Sequence, residues 1–256
     1  MKETELKSLL DEAVDTYNRK AFIENDPILI PHRFSKKEDI EIAAFFAASL
    51  AWGNRKSIIQ NTSKLMMCMD EAPHEFILQH TARDLKPFRT FVHRTFNGND
   101  CVFFISALKH LYTKRGGLEA AFTPNNKPNP AFKDRLHHFR ELFLEVKHLR
   151  RSEKHLSDPW KNSSSKRLCM FLRWMVRKDK RGVDFGIWRS IHASELYLPL
   201  DVHTGNVGRQ LGLLERKQND WKAVEEITQQ LRRFDPNDPV KYDFALFGLG
   251  VNGIVK

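Results

Sequence analysis

From Ile40 to Trp52 the chain runs Ile-Glu-Ile-Ala-Ala-Phe-Phe-Ala-Ala-Ser-Leu-Ala-Trp, apolar at almost every position. A helix that is apolar all round has no face to turn towards water, so it belongs at the centre of a domain with other elements wrapped about it. Its alanines let those neighbours approach closely. Other helices are visible as repeats of the helical period. They include Leu6, Leu9, Leu10, Ala13 and Tyr17, and then Ile58, Ile59, Thr62, Leu65, Met66 and Met69. Val102, Phe103, Ile105, Leu108 and Leu111 form another, and Phe132, Leu136, Phe139, Leu142, Phe143, Val146 and Leu149 a further one. With neither a strand pair nor an internal repeat in sight, the predicted class is all-α. A chain of 256 residues with 19 Phe can fill one substantial core or two small lobes.

Helix ends are marked in several places. Ser35 and Glu38 have the spacing of a capping box. Asn97-Gly98-Asn99-Asp100 is a turn whose last residue is placed to cap the next helix. Asp220 or Asn219 would cap Trp221 to Arg233, and Asp238-Pro239 would cap Val240 to Gly248. Thr123 to Pro130, Thr-Pro-Asn-Asn-Lys-Pro-Asn-Pro, is the most loop-like segment. Residues 1–256 are thus expected to form a single helical domain, with 123–130 either a surface insertion or a boundary between lobes.

Lys and Arg total 42 against 32 Asp and Glu, a formal net charge of +10. Such a surplus suits a polyanionic partner and suits equally a merely basic soluble protein. Cys68, Cys101 and Cys169 are widely spaced in apolar helical surroundings, as buried free thiols of a reducing compartment would be. Without a Cys-x-x-Cys pair neither a zinc site nor a four-cysteine iron–sulfur site is expected, and the scattered histidines have no ligand spacing. The expectation is no metal and no cofactor. The acidic, polar start is unlike a secretory signal, and the longest apolar run is too short to span a bilayer. A cytoplasmic monomer with no membrane partner is expected.

Two residues carry chemistry. Leu198-Pro199-Leu200 leads into Asp201, followed by Val202-His203-Thr204, so the Asp201 carboxylate can accept the free amides of a helix start and stay ionised. A carboxylate held there can stabilise a developing positive charge or orient an amine; the plainer reading is a helix cap and nothing more. Lys166 follows Asn162-Ser163-Ser164-Ser165 at the first turn of a helix, where the helix field opposes a positive charge and favours the neutral, nucleophilic amine. The plainer reading is an exposed lysine on a turn. His203 is an acid or base beside Asp201, or a surface residue of the short helix.

Asp201-Val202-His203-Thr204-Gly205-Asn206-Val207-Gly208-Arg209, with Leu211-Gly212-Leu213 behind it, resembles the catalytic-aspartate segment of the helix-hairpin-helix DNA glycosylases. Over its whole length the chain resembles a bacterial family of unknown function assigned to that superfamily. The resemblance is carried by Trp174 to Asp179, Val183 to Trp188 and Asp235 to Asp243. The match to glycosylases proper covers about the last hundred residues, and in style it is nearest to the archaeal 8-oxoguanine enzymes. The resemblance implies two helical subdomains flanking a basic cleft, with a divergent hairpin and catalytic segment at about 158–214. Where those enzymes carry Leu-Pro-Gly-Val-Gly, this chain has Asn162 to Ser165.

The resemblance further implies Asp201 as the catalytic carboxylate and Lys166 as the nucleophile of a glycosylase with AP lyase activity, acting on double-stranded DNA with a damaged base. Phosphate contacts would come from Lys161, Lys166 or its neighbour Arg167, Arg209, Arg216 and Lys217, with Ser163 and Ser165 offering hydroxyls and amides. Trp52, Asn54, Arg55 and Trp174 are base-pocket candidates by position, with His203 beside them; core aromatics and helix-end polar residues are the plainer readings. Two other functions stay open: a nucleic-acid binder on a glycosylase scaffold without base excision, and a helical protein–protein adaptor.

Overall fold

Every residue from Ile40 to Leu50 is buried, so the apolar run does form the middle of a core. The computed structural model describes residues 2–124, 130–251 and 253. Within it the chain divides into two compact units, Asn25–Asp158 and a second made of Met1–Glu24 with Pro159–Lys256. The loop at 123–130, read as a possible lobe boundary, lies inside the first of these, and its residues 125–129 are outside the described residues. Helix α1 (Glu3–Tyr17) opens the chain and belongs with the C-terminal part.

The unit Asn25–Asp158 contains α2 (Lys37–Leu50), α3 (Arg55–Cys68), α4 (Pro73–Gln79) and α5 (Lys86–Arg89). Strands β1 (Val92–His93) and β2 (Phe96–Asn97) follow, and then α6 (Gly98–Lys114), α7 (Leu118–Ala121) and α8 (Phe132–Phe143). The phenylalanines pack around α2: Phe45 lies 5.7 Å from Phe104 and 5.6 Å from Phe139, and Phe139 stacks on Phe122 at 4.1 Å. Aromatic pairs at such separations add to what their burial already contributes.

Three local expectations are corrected here. Helix α2 starts at Lys37 with Lys36 at its cap and no side-chain cap bond, one residue too late for Ser35 to reach the free amides. The cap of α6 is Asn97, which accepts from the amides of Asn99 and Asp100. Asp100 sits inside the first turn and accepts from the Asn97 amide at 2.9 Å. Its buried carboxylate also gathers Ser152 Oγ at 2.6 Å, Arg151 Nη1 at 2.9 Å and His155 Nε2 at 3.2 Å. That is a structural hub tying residues 151–155 to the helix start. A strand pair does exist, with Val92 opposite Asn97 and His93 opposite Phe96; two residues per strand are too few for a period of two to show in sequence.

The other unit contains α1, α9 (Lys166–Val176), α10 (Val202–Gln210), α11 (Trp221–Phe234) and α12 (Tyr242–Val251). Helix α12 packs along α1 and α10. The closeness to α1 depends on Gly248, where a Cβ would sit 2.0 Å from the Tyr17 ring. Trp174, Trp221, Phe171 and Tyr242 fill the core. Asp238 makes no side-chain cap at Pro239–Lys241. Its carboxylate instead takes Arg177 Nε at 2.9 Å, a charged partner outweighing a cap amide. No described helix is long and apolar enough to cross a membrane. The class is all-α.

Candidate active site

The segment before α9 turns sharply. Pro159–Lys161 is a single 3-10 turn, and Asn162 and Ser165 then take φ of 62° and 49°. Both lie in the left-handed region that residues with a Cβ enter at a cost. The turn is secured from the start of α11: Asn162 Nδ2 donates to Asp220 Oδ2 at 2.9 Å, and the Trp221 amide donates to the Asn162 carbonyl at 3.3 Å. Asp220 caps α11 by accepting from the Ala223 amide at 3.2 Å. The hydrogen bonds from Arg216, with the Ala223 amide and Asn162, hold its carboxyl well below the usual carboxylate range. Ser165 is buried, and among the described residues its hydroxyl reaches only the Ser163 carbonyl, at a long 3.4 Å. Replacing Ser165 by Gly is therefore expected to stabilise the protein by about 0.5–1 kcal/mol in denaturant unfolding, because glycine adopts this φ freely. A loss of stability would show that the hydroxyl matters more than the strain.

This turn places Lys166 on the first turn of α9, half-exposed. Across from it Asp201 caps α10, in extended conformation with φ −122° and ψ −170°. One carboxylate oxygen, Oδ1, accepts from the Thr204 amide at 3.0 Å. The other, Oδ2, lies 3.9 Å from Lys166 Nζ. The cap thus does two things: it fixes the carboxylate's rotamer and leaves one oxygen for the amine. Asn219 Nδ2 donates to the Asp201 carbonyl at 3.3 Å, and the absent Cβ of Gly205 makes room, since it would lie 2.5 Å from Asn219 Oδ1. Both members of the pair remain partly open to solvent, at 25% and 37% of side-chain surface.

The other predicted residues divide. Lys161 and Lys217 are exposed, and His203 is exposed on the first turn of α10. Ser163 is half-buried and bridges to Asp220. Arg167 is half-buried, and desolvation pulls its guanidinium below its ordinary range. Arg209 is turned inward as a loop clamp, donating to the Arg216 carbonyl at 2.8 Å, the Lys217 carbonyl at 2.9 Å and Asn219 Oδ1 at 2.6 Å. Arg216 pairs with Asp220 at 2.7 Å. Trp174 is fully buried in α9 and is a core residue. In the other unit Asn54 caps α3, accepting from the Ser57 amide at 3.2 Å, Arg55 is exposed, and half-buried Trp52 carries the Arg94 guanidinium 4.8 Å over its ring.

Two features escape sequence reading. Trp160 is exposed by 57% next to Lys161. The second is a buried charge network behind the pair. Arg173 on α9 contacts Asp184 at 3.2 Å and Asp243 on α12. Arg177 contacts Asp179 at 2.8 Å, Asp184 at 3.0 Å and Asp238 at 2.9 Å. The Phe244 ring lies under both guanidiniums, at 4.4 and 5.5 Å. Burial raises the Asp243 carboxyl to about 6, with Arg173 and Lys166 pulling it down and Asp201 and Asp184 pushing it up. Buried carboxylates with shifted affinities gather where chemistry is done. The only sequence signal for Asp243 was the run Asp235 to Asp243, which carried the family resemblance.

Among the described residues, no group of three or more His, Cys, Asp and Glu is arranged to hold a metal ion. No curated protein matches the chain, and no solved structure does. One family model, described as a protein of unknown function (DUF2400), matches residues 26–252, and the chain belongs to that family.

Proposed function

We propose that this protein is a DNA glycosylase with an associated lyase activity, removing a damaged base, foremost 8-oxoguanine, from double-stranded DNA. The observation that carries the reading is the Lys166–Asp201 pair, an amine 3.9 Å from a carboxylate that its own helix holds in place. In that chemistry the neutral amine of Lys166 attacks C1′ of the damaged nucleotide. The C1′–N bond breaks and the base departs with the bonding electrons, taking up a proton. Asp201 offsets positive charge on the sugar as the bond opens and keeps the amine aimed. The amine's proton passes to solvent or to the departing base; ring opening gives a Schiff base, and loss of the 3′ phosphate by β-elimination cleaves the strand.

The base must leave the stack before any of this can happen. A net charge of +10 supports long-range attraction to the duplex. Exposed Lys161 and Lys217 are the phosphate contacts we retain; Arg209 and Arg216 support the loop 211–220 that backs Asp201 through Asn219. In this reading the family falls within the helix-hairpin-helix superfamily, the turn at 162–165 stands in for the glycine hairpin, and the protein acts as a cytoplasmic monomer.

A second reading, a nucleic-acid binder without base excision, draws on exposed Trp160 and Lys161, which suit a strand with no chemistry at all. Incubating the protein with duplexes that carry 8-oxoguanine, uracil or an alkylated base separates the two. Base release supports the enzyme. Salt-sensitive binding with no release on any of the three supports the binder.

A further inference from the structure

Lys166 and Asp201 stand on separate elements, the first turn of α9 and the cap of α10. At 3.9 Å they do not fix each other's place. Two residues ahead of α11 reach both sides. Asp220 has extended backbone, with φ −113° and ψ −175°, and successive side chains on an extended chain point in opposite directions. Asn219 and Asp220 therefore diverge.

On one side, Asn219 Nδ2 donates to the Asp201 carbonyl at 3.3 Å. On the other, Asp220 Oδ2 accepts from Asn162 Nδ2 at 2.9 Å, and the Trp221 amide donates to the Asn162 carbonyl at 3.3 Å. Asn162 belongs to the turn that leads into α9 and Lys166. Both gripping residues are themselves held. Arg209 donates to Asn219 Oδ1 at 2.6 Å, and to the carbonyls of Arg216 and Lys217. With its oxygen so occupied, the Asn219 amide turns its NH2 group towards Asp201. Gly205 leaves the space this needs, since a Cβ there would lie 3.0 Å from Arg209 Nη1 as well as against Asn219. Asp220 is held by Arg216 Nε at 2.7 Å and by the Ala223 amide at 3.2 Å.

We infer that Asn219 and Asp220 are positioning residues that together set the distance between Lys166 and Asp201. The Thr204 amide fixes the Asp201 carboxylate within α10; Asn219 and Asp220 fix where α10 begins against the turn before α9. Their grips fall on a backbone carbonyl and on Asn162, so they hold the spacing without occupying Lys166 Nζ or Asp201 Oδ2. The catalytic consequence rests on the glycosylase reading; the spacing itself does not.

Zero-length coupling reads that spacing without DNA. A carbodiimide activates the Asp201 carboxylate, the neutral Lys166 amine displaces the urea, and an amide joins the two side chains. Peptide mass spectrometry gives the yield relative to Lys241–Asp235, a pair at 2.7 Å in the same unit. Asn219→Ala and Asn162→Gly are each expected to lower the Lys166–Asp201 yield about tenfold, as small displacements do between groups held for reaction. The reference pair should not change. In the first variant Arg209 keeps the Arg216 and Lys217 carbonyls, and in the second glycine readily takes the φ of 62°. Asn219→Asp, which keeps the acceptor for Arg209 and lacks the donor, replaces the alanine variant if that protein does not fold. On an 8-oxoguanine duplex, Asn219→Ala should slow single-turnover base release by a similar factor with duplex affinity unchanged. A yield that holds in a folded variant, falls in one variant only, or falls together with the reference pair overturns the inference. So does base release at its full rate despite a selective fall, or a protein in which no Lys166–Asp201 link forms. A selective fall in both variants of a protein that releases no base upholds the spacing and removes the glycosylase.

Discussion

Asp201→Asn is expected to cut base release by roughly 10²–10³-fold, the usual scale for removing a group that stabilises transition-state charge. It should do so with almost no change in folding. Asparagine caps helices as well as aspartate, and its oxygen can still accept from the Thr204 amide that Asp201 Oδ1 now receives at 3.0 Å. What disappears is the charge on Oδ2, the atom 3.9 Å from Lys166 Nζ. Single-turnover base release, thermal melting and duplex affinity measured on one preparation separate these roles. An Asn variant that keeps full activity would reduce Asp201 to a cap. One that melts early would mean the charge serves the fold.

Arg173→Ala is expected to lower stability by about 3–5 kcal/mol, the range for removing one partner from a buried ionic cluster. Arg173 is almost fully buried, and its guanidinium serves Asp184 and Asp243 together while lying 4.4 Å over Phe244. Its loss leaves two buried carboxylates without that cation and opens a gap beneath the ring. The loss should depend on pH in a defined direction. Burial already raises Asp243 to about 6 in the intact protein, against an ordinary 3.8. The folded state thus holds this proton more tightly than the unfolded chain, and stability from this group falls as pH rises through that interval. Without Arg173 the folded carboxyl binds its proton more tightly still. The destabilisation should therefore be larger at pH 8, where Asp243 must ionise, than at pH 5. Urea unfolding at the two pH values reads the difference; an equal loss at both would mean that packing, not charge, dominates at this position.

Much of this molecule was legible because helices write their period into sequence. The all-round apolar stretch Ile40 to Trp52, the starts of α9 and α10, and the cap at Asp220 all followed from patterns spanning fewer than twenty residues. Errors arose where a cap could slide by a few positions, as at Ser35 and Asp100, or where an acidic residue had a better partner far along the chain, as Asp238 has in Arg177. The pair Lys166 and Asp201 was named from local chemistry and resemblance. Its backing was not, since Arg173, Asp184, Asp238 and Asp243 are separated by up to 70 residues. The arginines show the same limit. Nothing in the string Gly208-Arg209-Gln210 says that Arg209 turns back to clamp residues 216–219. Trp174 is fully buried because every residue of α9 from Leu168 to Val176 is, an all-round burial that a one-faced helical period does not mark.

The central claim is that Lys166 is a nucleophile poised against Asp201. Borohydride reduction during turnover on an 8-oxoguanine duplex tests it most directly, because only an imine between protein and sugar is converted into a stable link. The account predicts a covalent protein–DNA adduct that maps to Lys166 by peptide mass spectrometry and disappears in Lys166→Ala. An adduct that persists in Lys166→Ala, or base release with no adduct at all, would contradict it.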